Sequence, residues 1–167
     1  MAIRKIVKIG DEKLRKTSKT VEKFDFRLRL LLNDMADTMY KANGVGLAGP
    51  QVGVLKRVIV VDVGEELFQL VNPEITESSG EQTGPEGCLS IPGRSGVVTR
   101  PNQVTVKAQD PHGEPVEIHA EGFLARAFCH EIDHLNGTMY VDIMDREIFA
   151  DDPEYGEKDD QDGEERE

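Results

Sequence analysis

The sequence has no tryptophan and only two cysteines, and apolar residues make up 38% of its 167 positions. Each shortage excludes something. Cys88 and Cys129 are too few for a disulfide framework, so stability must come from a packed core. The longest apolar stretch, VIVVDV, is far short of the ~20 residues that cross a bilayer. The N-terminus, MAIRKIVKIG, is basic but lacks an apolar run long enough for a secretion signal. These features place the protein in a reducing cytoplasm, or in an organelle of similar chemistry if a targeting segment was removed. No internal repeat is present. At this length one domain is expected, and folding buries roughly 70% of the unfolded surface.

The low apolar content directs attention to the C-terminus. Net charge is −12, and the last 17 residues, DDPEYGEKDDQDGEERE, hold ten acids and two bases. That segment carries −8, leaving −4 for residues 1–150. A nearly apolar-free acidic run cannot offset its ordering entropy by burial. The expected organisation is therefore one folded domain over 1–150 and a disordered, solubilising tail over 151–167. The acidity disfavours nucleic acid as a partner.

Residues 25–43 carry the clearest helical period. Leu28, Leu31, Leu32, Met35, Ala36 and Met39 recur at three- and four-residue steps, Asp25 suits the start and Asn43-Gly44 the stop. KRVIVVDV reads as a buried strand. Short β-like runs follow in FQLVNP and EITESSGEQ, then VTVKAQ pairs with PVEIHA across the turn DPHG. Residues 122–135 return to helix, Asn136-Gly137 ends it, and MYVDIM closes the ordered part. This order argues for an α+β fold, not alternating βαβ.

Gly44, Gly46 and Gly49 spell G-x-G-x-x-G, but a helix precedes them and a strand follows. A dinucleotide site needs the reverse, so that a helix N-terminus meets the phosphates. The glycines more readily serve close backbone approach. Gln51, just beyond, can project its amide into that space.

FCHEIDHLNG, over 128–137, holds the chemistry. His130 and His134 stand four apart, so on a helix their imidazoles share a face and can converge on one metal ion. Glu131 is turned about 100° away, where it borders the metal without ligating it. A histidine pair of this spacing often means only surface charge. Here, however, FLARAF precedes the motif, and each unpaired polar group on a buried helix costs on the order of 1–3 kcal/mol. A catalytic site needs a third protein ligand. Tyr140 stands where a third downstream histidine would fall in a helix-based peptidase, and Glu154 lies in the acidic tail. Cys88, in EGCLS, offers a thiolate suited to a borderline or soft cation. His112, in a turn, and His119, in a strand edge, are expected to be solvated or structural. Cys129 reads as a small buried hydrophobe.

With GVGLAGPQ, EGCLS and HEIDH in that order, residues 3–148 resemble the peptide deformylase family. The resemblance implies an α+β fold with antiparallel sheets surrounding a central helix that bears HEIDH, the N-terminal helix packing outside. It implies a metal-dependent hydrolase that removes formate from the N-terminal formyl-methionine of new proteins. Cys88, His130 and His134 would hold the metal, and Glu131 would be the general acid and base. Gln51 and the backbone N–H of Leu89 would hold the oxyanion, and Gly46 would line the peptide cleft. The ion would be Fe2+ in the cell, with Zn2+, Ni2+ or Co2+ as substitutes. Formylated nascent peptides would be the partners. A transient ribosome contact is in doubt, because the acidic tail replaces a basic extension, and neither a membrane nor a direct nucleic-acid site is expected.

Some positions depart from the family pattern or add to it. Gly49 replaces the usual alanine, from which a looser loop is expected, and Cys129 replaces a frequent glutamine. Ala127, three residues before His130, is small enough to leave room for the substrate methionine. Asp133 is expected to orient the site through Arg100 or Arg126. Two rivals remain at this level: a zinc peptidase cutting internal bonds, and a metal-binding protein without turnover.

Overall fold

In the computed structural model, which describes residues 2–152 and 154, two antiparallel sheets enclose one helix. The first helix, α1 (Phe26–Lys41), starts where the Asp25 carboxylate accepts from the Leu28 N–H at 3.1 Å. It stops where Asn43 turns left-handed at φ 57 and the Gly44 N–H reaches back to the Met39 carbonyl. Its apolar stripe faces the strands β1 (Gly46–Ala48) and β2 (Val58–Val61).

All four residues of β2 are buried because both faces of its sheet are covered. Val58 and Val60 pack under α1 with Leu28, Leu32 and Met35. Ile59 and Val61 point the other way, towards α2 (Gly122–Leu135), among Ala125, Phe128 and Ile132. A continuous apolar run is what a doubly covered strand requires. Each Leu, Ile or Phe so buried contributes roughly 1.5–3 kcal/mol.

The larger sheet runs β1-β2-β3-β6-β7, and the smaller runs β4-β5-β8. The further members of the larger sheet are β3 (Phe68–Ser79), β6 (Gln103–Gln109) and β7 (Pro115–Glu121). The smaller sheet comprises β4 (Gln82–Cys88), β5 (Ile91–Arg100) and β8 (Arg146–Ile148). The helix α2 lies between the sheets, with α1 on the outer face of the larger one, as the sequence implies. A short helix α3 (Tyr140–Ile143) packs on the smaller sheet through Tyr140 and Met139.

Four segments differ from expectation. FQLVNP and EITESSGEQ are one strand, not two, because β3 bends through register shifts that begin at Asn72-Pro73. There the Asn72 side chain bonds both the N–H and the carbonyl of Val21. The glycine- and proline-rich 82–100 region is the β4–β5 hairpin. GVGLAGPQVG becomes β1 followed by a 3-10 turn at Gly49–Val52. MYVDIM is helical and is followed by β8. The acidic segment expected to be disordered falls outside the described residues, except for Asp151, Asp152 and Glu154. Asp152 and Glu154 both pair with Arg146.

Residues 2–21 form a belt. The Ala2 N–H and the Arg4 guanidinium hold the buried Asp34 on α1, Val7 N–H bonds the Gln51 carbonyl, and Ile9 N–H bonds that of Ser90. Ser18 N–H then bonds the Leu135 carbonyl at the end of α2, and Arg15 pairs with Asp142.

The loop around Gly49 is tight, not loose. A Cβ there would stand 2.6 Å from the Lys56 carbonyl oxygen and 2.7 Å from that of Val54. Val54 N–H donates to the Gly49 carbonyl at 3.0 Å, folding residues 53–58 back over it. Gly49→Ala is therefore expected to cost about 1–3 kcal/mol, through overpacking against backbone that cannot rotate away. A urea titration would read this as a lower midpoint; an unchanged midpoint would mean that the two carbonyls yield.

Candidate metal centre

The helical repeat brings His130 and His134 to one face of α2, with ring centroids 5.1 Å apart. Cys88 arrives from the other sheet, as the last residue of β4. One donor atom from each of the three lies within 4.8 Å of the others. The Cys88 Sγ is 3.4 Å from the His134 Nε2. A sulfur and a nitrogen bound tetrahedrally to one zinc-like ion stand roughly 3.6 Å apart, from bond lengths of about 2.3 and 2.1 Å. The donor set and its spacing fit a single divalent cation.

Burial opposes protonation of His130, but the Glu131 carboxylate, Cys88 and Glu86 outweigh it and push this imidazole well above its usual value. Burial and His130 together push His134 well below its own. The same cluster thus drives its two imidazoles in opposite directions.

Sequence reading missed Glu86. This carboxylate is buried and accepts from His130 Nδ1 at 2.9 Å, which leaves the His130 Nε2 for a metal. It also takes two bonds from Arg100, both at 2.9 Å, and one from Arg126 at 2.7 Å. No local signal marks it, because its partners come from the end of β5 and from α2. Asp133 accepts from Arg100 at 2.6 Å, and of the two arginines expected to partner it, Arg100 makes the bond.

Glu131 sits beside the donors and is 4% exposed, with its Oε1 buried and without a hydrogen-bond partner. Burial pushes its carboxyl up to about 7, against the pull of His130. Gln51 is buried and its amide orientation is fixed. Its Oε1 accepts from the Ala48 N–H at 2.9 Å, which turns Nε2 towards the Cys88 sulfur (3.4 Å) and the Ser90 hydroxyl (3.1 Å). Cys88 pairs with Ile91, so Leu89 and Ser90 form the turn between β4 and β5. In a two-residue turn the first central N–H lies outside the ladder, where a ligand can use it.

These groups open onto a cleft of about 360 Å³ lined by Gly46, Gln51, Cys88, Leu89, Ala127, His130 and Glu131. Val45 and Phe123, both exposed, stand at its rim. A larger hollow of about 420 Å³ lies between Glu77, Gln103, His119 and Glu121 on the larger sheet. It has no thiol, and its one imidazole bonds Thr105 and Glu117. The cleft at the metal donors is therefore the site.

The other sequence candidates lie outside it. His112 is exposed, Cys129 is buried in the core beside Leu135, and Glu154 pairs with Arg146. Tyr140 is buried and stacks against His130 with centroids 6.2 Å apart, supporting that ring instead of ligating.

Comparison with known proteins agrees. The family model described as polypeptide deformylase matches residues 3–148. The peptide deformylase of Lachnoclostridium phytofermentans is 58% identical over 151 residues, covering 89% of this chain and 93% of the relative. That of Caldicellulosiruptor bescii is 60% identical over 146 residues, covering 87% and 88%. The crystal structure of the Thermotoga maritima peptide deformylase superposes with a TM-score of 0.85 at 43% identity, covering 86% of this chain and 99% of that one. The Legionella pneumophila structure gives 0.83 at 48% identity, covering 99% and 96%. With thiol, imidazoles and acid already converging on one cleft, the match over residues 3–148 means that this chain belongs to the peptide deformylase family, metal-dependent hydrolases that remove the formyl group from the N-terminus of newly made proteins.

Proposed function

We propose that Cys88, His130 and His134 hold one Fe2+ ion in the cell, and that Glu131, Gln51 and Leu89 divide the catalytic work. Zn2+, Ni2+ or Co2+ can take the place of iron, since a thiolate with two imidazoles suits several borderline cations. The bound ion would supply Lewis acidity, making water acidic enough to be deprotonated near neutral pH and polarising the formyl carbonyl. Glu131 takes the proton of the attacking water, and the oxygen adds to the formyl carbon. Charge then develops on the formyl oxygen, where the Gln51 Nε2–H and the Leu89 N–H donate to it. Glu131 returns the proton to the amine nitrogen as the carbon–nitrogen bond breaks. Formate and a free N-terminus leave.

Gly46 lines the peptide cleft, and Ala127 leaves room in it for the formyl-methionine side chain. Residues 1–150 are the catalytic unit, and the acidic segment 151–167 contributes nothing to the chemistry. The site is cytoplasmic or organellar, in keeping with a reduced thiol ligand. Any ribosome contact is transient, and no direct nucleic-acid site is assigned.

The observation that carries this reading is the convergence of a thiol and two imidazoles beside one buried carboxylate. Anaerobic purification with metal analysis, then assay of formyl-Met-Ala-Ser beside unformylated Met-Ala-Ser, tests it. One equivalent of iron and formate release from the first peptide only is the expected result. Metal retained at full occupancy in Cys88→Ser, or cleavage of the unformylated peptide, would favour an internal-bond peptidase instead.

A further inference from the structure

We infer that Gly46 is a positioning residue for Glu131: the side chain it lacks is the space in which the Glu131 carboxylate lies. The inference rests on the reading of Glu131 as the proton carrier. Gly46 opens β1, is buried, and pairs with Val61. Alternation along β1 sends Leu47 towards α1 and leaves Gly46 and Ala48 facing α2. Ala48 has a Cβ on that face; Gly46 does not.

A Cβ built on Gly46 would lie 2.8 Å from Glu131 Cδ and 2.9 Å from its Cγ, and nearer still to Oε2. All are closer than carbon is normally found to such atoms. The backbone gives no other reason for glycine, because Gly46 is not among the residues with positive φ. The Glu131 carboxylate is the far end of a side chain and can turn aside, whereas the two backbones cannot. Glu131 is on a buried helix between His130 and Ile132, and β1 is held to β2 along its length. Adding a methyl group must therefore rotate the carboxylate or push β1 and α2 apart. Rotation moves the proton carrier, and displacement of about 1 Å at a reacting group can cost 10²-fold in rate.

The test is a double-mutant cycle read in two ways. Gly46→Ala is expected to lower kcat for formyl-Met-Ala-Ser roughly 100-fold with one metal still bound per chain. In a Glu131→Ala background, the same change should lower the residual rate by far less than 100-fold. Thermal unfolding supplies the second reading. Gly46→Ala should lower Tm by several degrees in the parent, where the carboxylate fills the space, and by much less in the Glu131→Ala background, where the space is vacated. A raised KM with kcat intact, or equal Tm losses in both backgrounds, would overturn the inference. The Tm comparison does not depend on turnover. If Glu131→Ala kept full activity, the catalytic reading would fall on that result alone, while the steric claim would still be decided by Tm. If Gly46→Ala does not fold alone, recovery of folding in the double variant supports the inference and its absence refutes it.

Discussion

Glu131→Gln is expected to lower kcat for formate release by about 10²–10⁴, the range a general acid–base group supplies. Glutamine keeps the shape and the burial but neither takes nor returns a proton. Its metal content should match that of the parent, since Glu131 is not among the three converging donors. Burial pushes the Glu131 carboxyl up to about 7, and only its ionised form accepts a proton. The parent's kcat/KM should therefore fall on the acid side of its pH profile, and that limb should vanish in the variant. A variant turning over within threefold of the parent would remove Glu131 from the mechanism.

Glu86→Ala is expected to do more damage to the protein than any other single change at the site. The carboxylate it removes joins Arg100, Arg126 and His130, and both arginines are buried, at 5% exposure each. Losing one member of a buried ion pair costs about 3–5 kcal/mol, because the remaining charge stays buried without its counterpart. Whole-domain stabilities are only about 5–15 kcal/mol, so the loss is a large share. The same change frees His130 Nδ1, and loss of such a partner typically weakens metal binding by about 10–100-fold. Acid titration of the parent adds a check. Burial acts to raise the Glu86 pKa, but Arg100 and His130 overcome it and hold the group at about 2. A depressed carboxyl stabilises the fold above its ordinary value near 4.3 and gives that stability up as pH falls towards about 2. That part of the acid-unfolding curve should be missing in Glu86→Ala. Urea titration and competition with a chelator measure the two effects. A loss under 1 kcal/mol with unchanged metal affinity would mean that Glu86 is a bystander.

The two long helices and the histidine pair were legible in the sequence because their signals are local. The α1 stripe recurs at helical spacing, and His130 and His134 are fixed on one face by the helix itself. The hairpin that delivers Cys88 was not legible. Gly84, Pro85, Gly87, Pro92, Gly93 and Gly96 break any strand pattern, yet they lie in β4 and β5. Proline is tolerated at Pro85 because β4 is an edge of its sheet. These strands pair with each other across a two-residue turn and are held from outside by β8 and by Gln82, whose side chain bonds the Pro101 and Gly122 carbonyls. Glu86 escaped for the same reason, since its partners come from β5 and α2. Gly49 was misjudged because residue size says nothing about which carbonyls close over it. In each case the missing information was tertiary.

The belt over residues 2–21 also bears on how the chain is assembled. Arg15 meets Asp142 across a separation of 127 residues, and Ser18 meets Leu135. During synthesis residues 15–18 cannot settle until residues 135–142 have followed them. Closure of such long loops is entropically expensive and slow. Because the same belt bonds the carbonyls of Gln51 and Ser90, both flanking the reactive cleft, that cleft takes its final form only when the belt has closed.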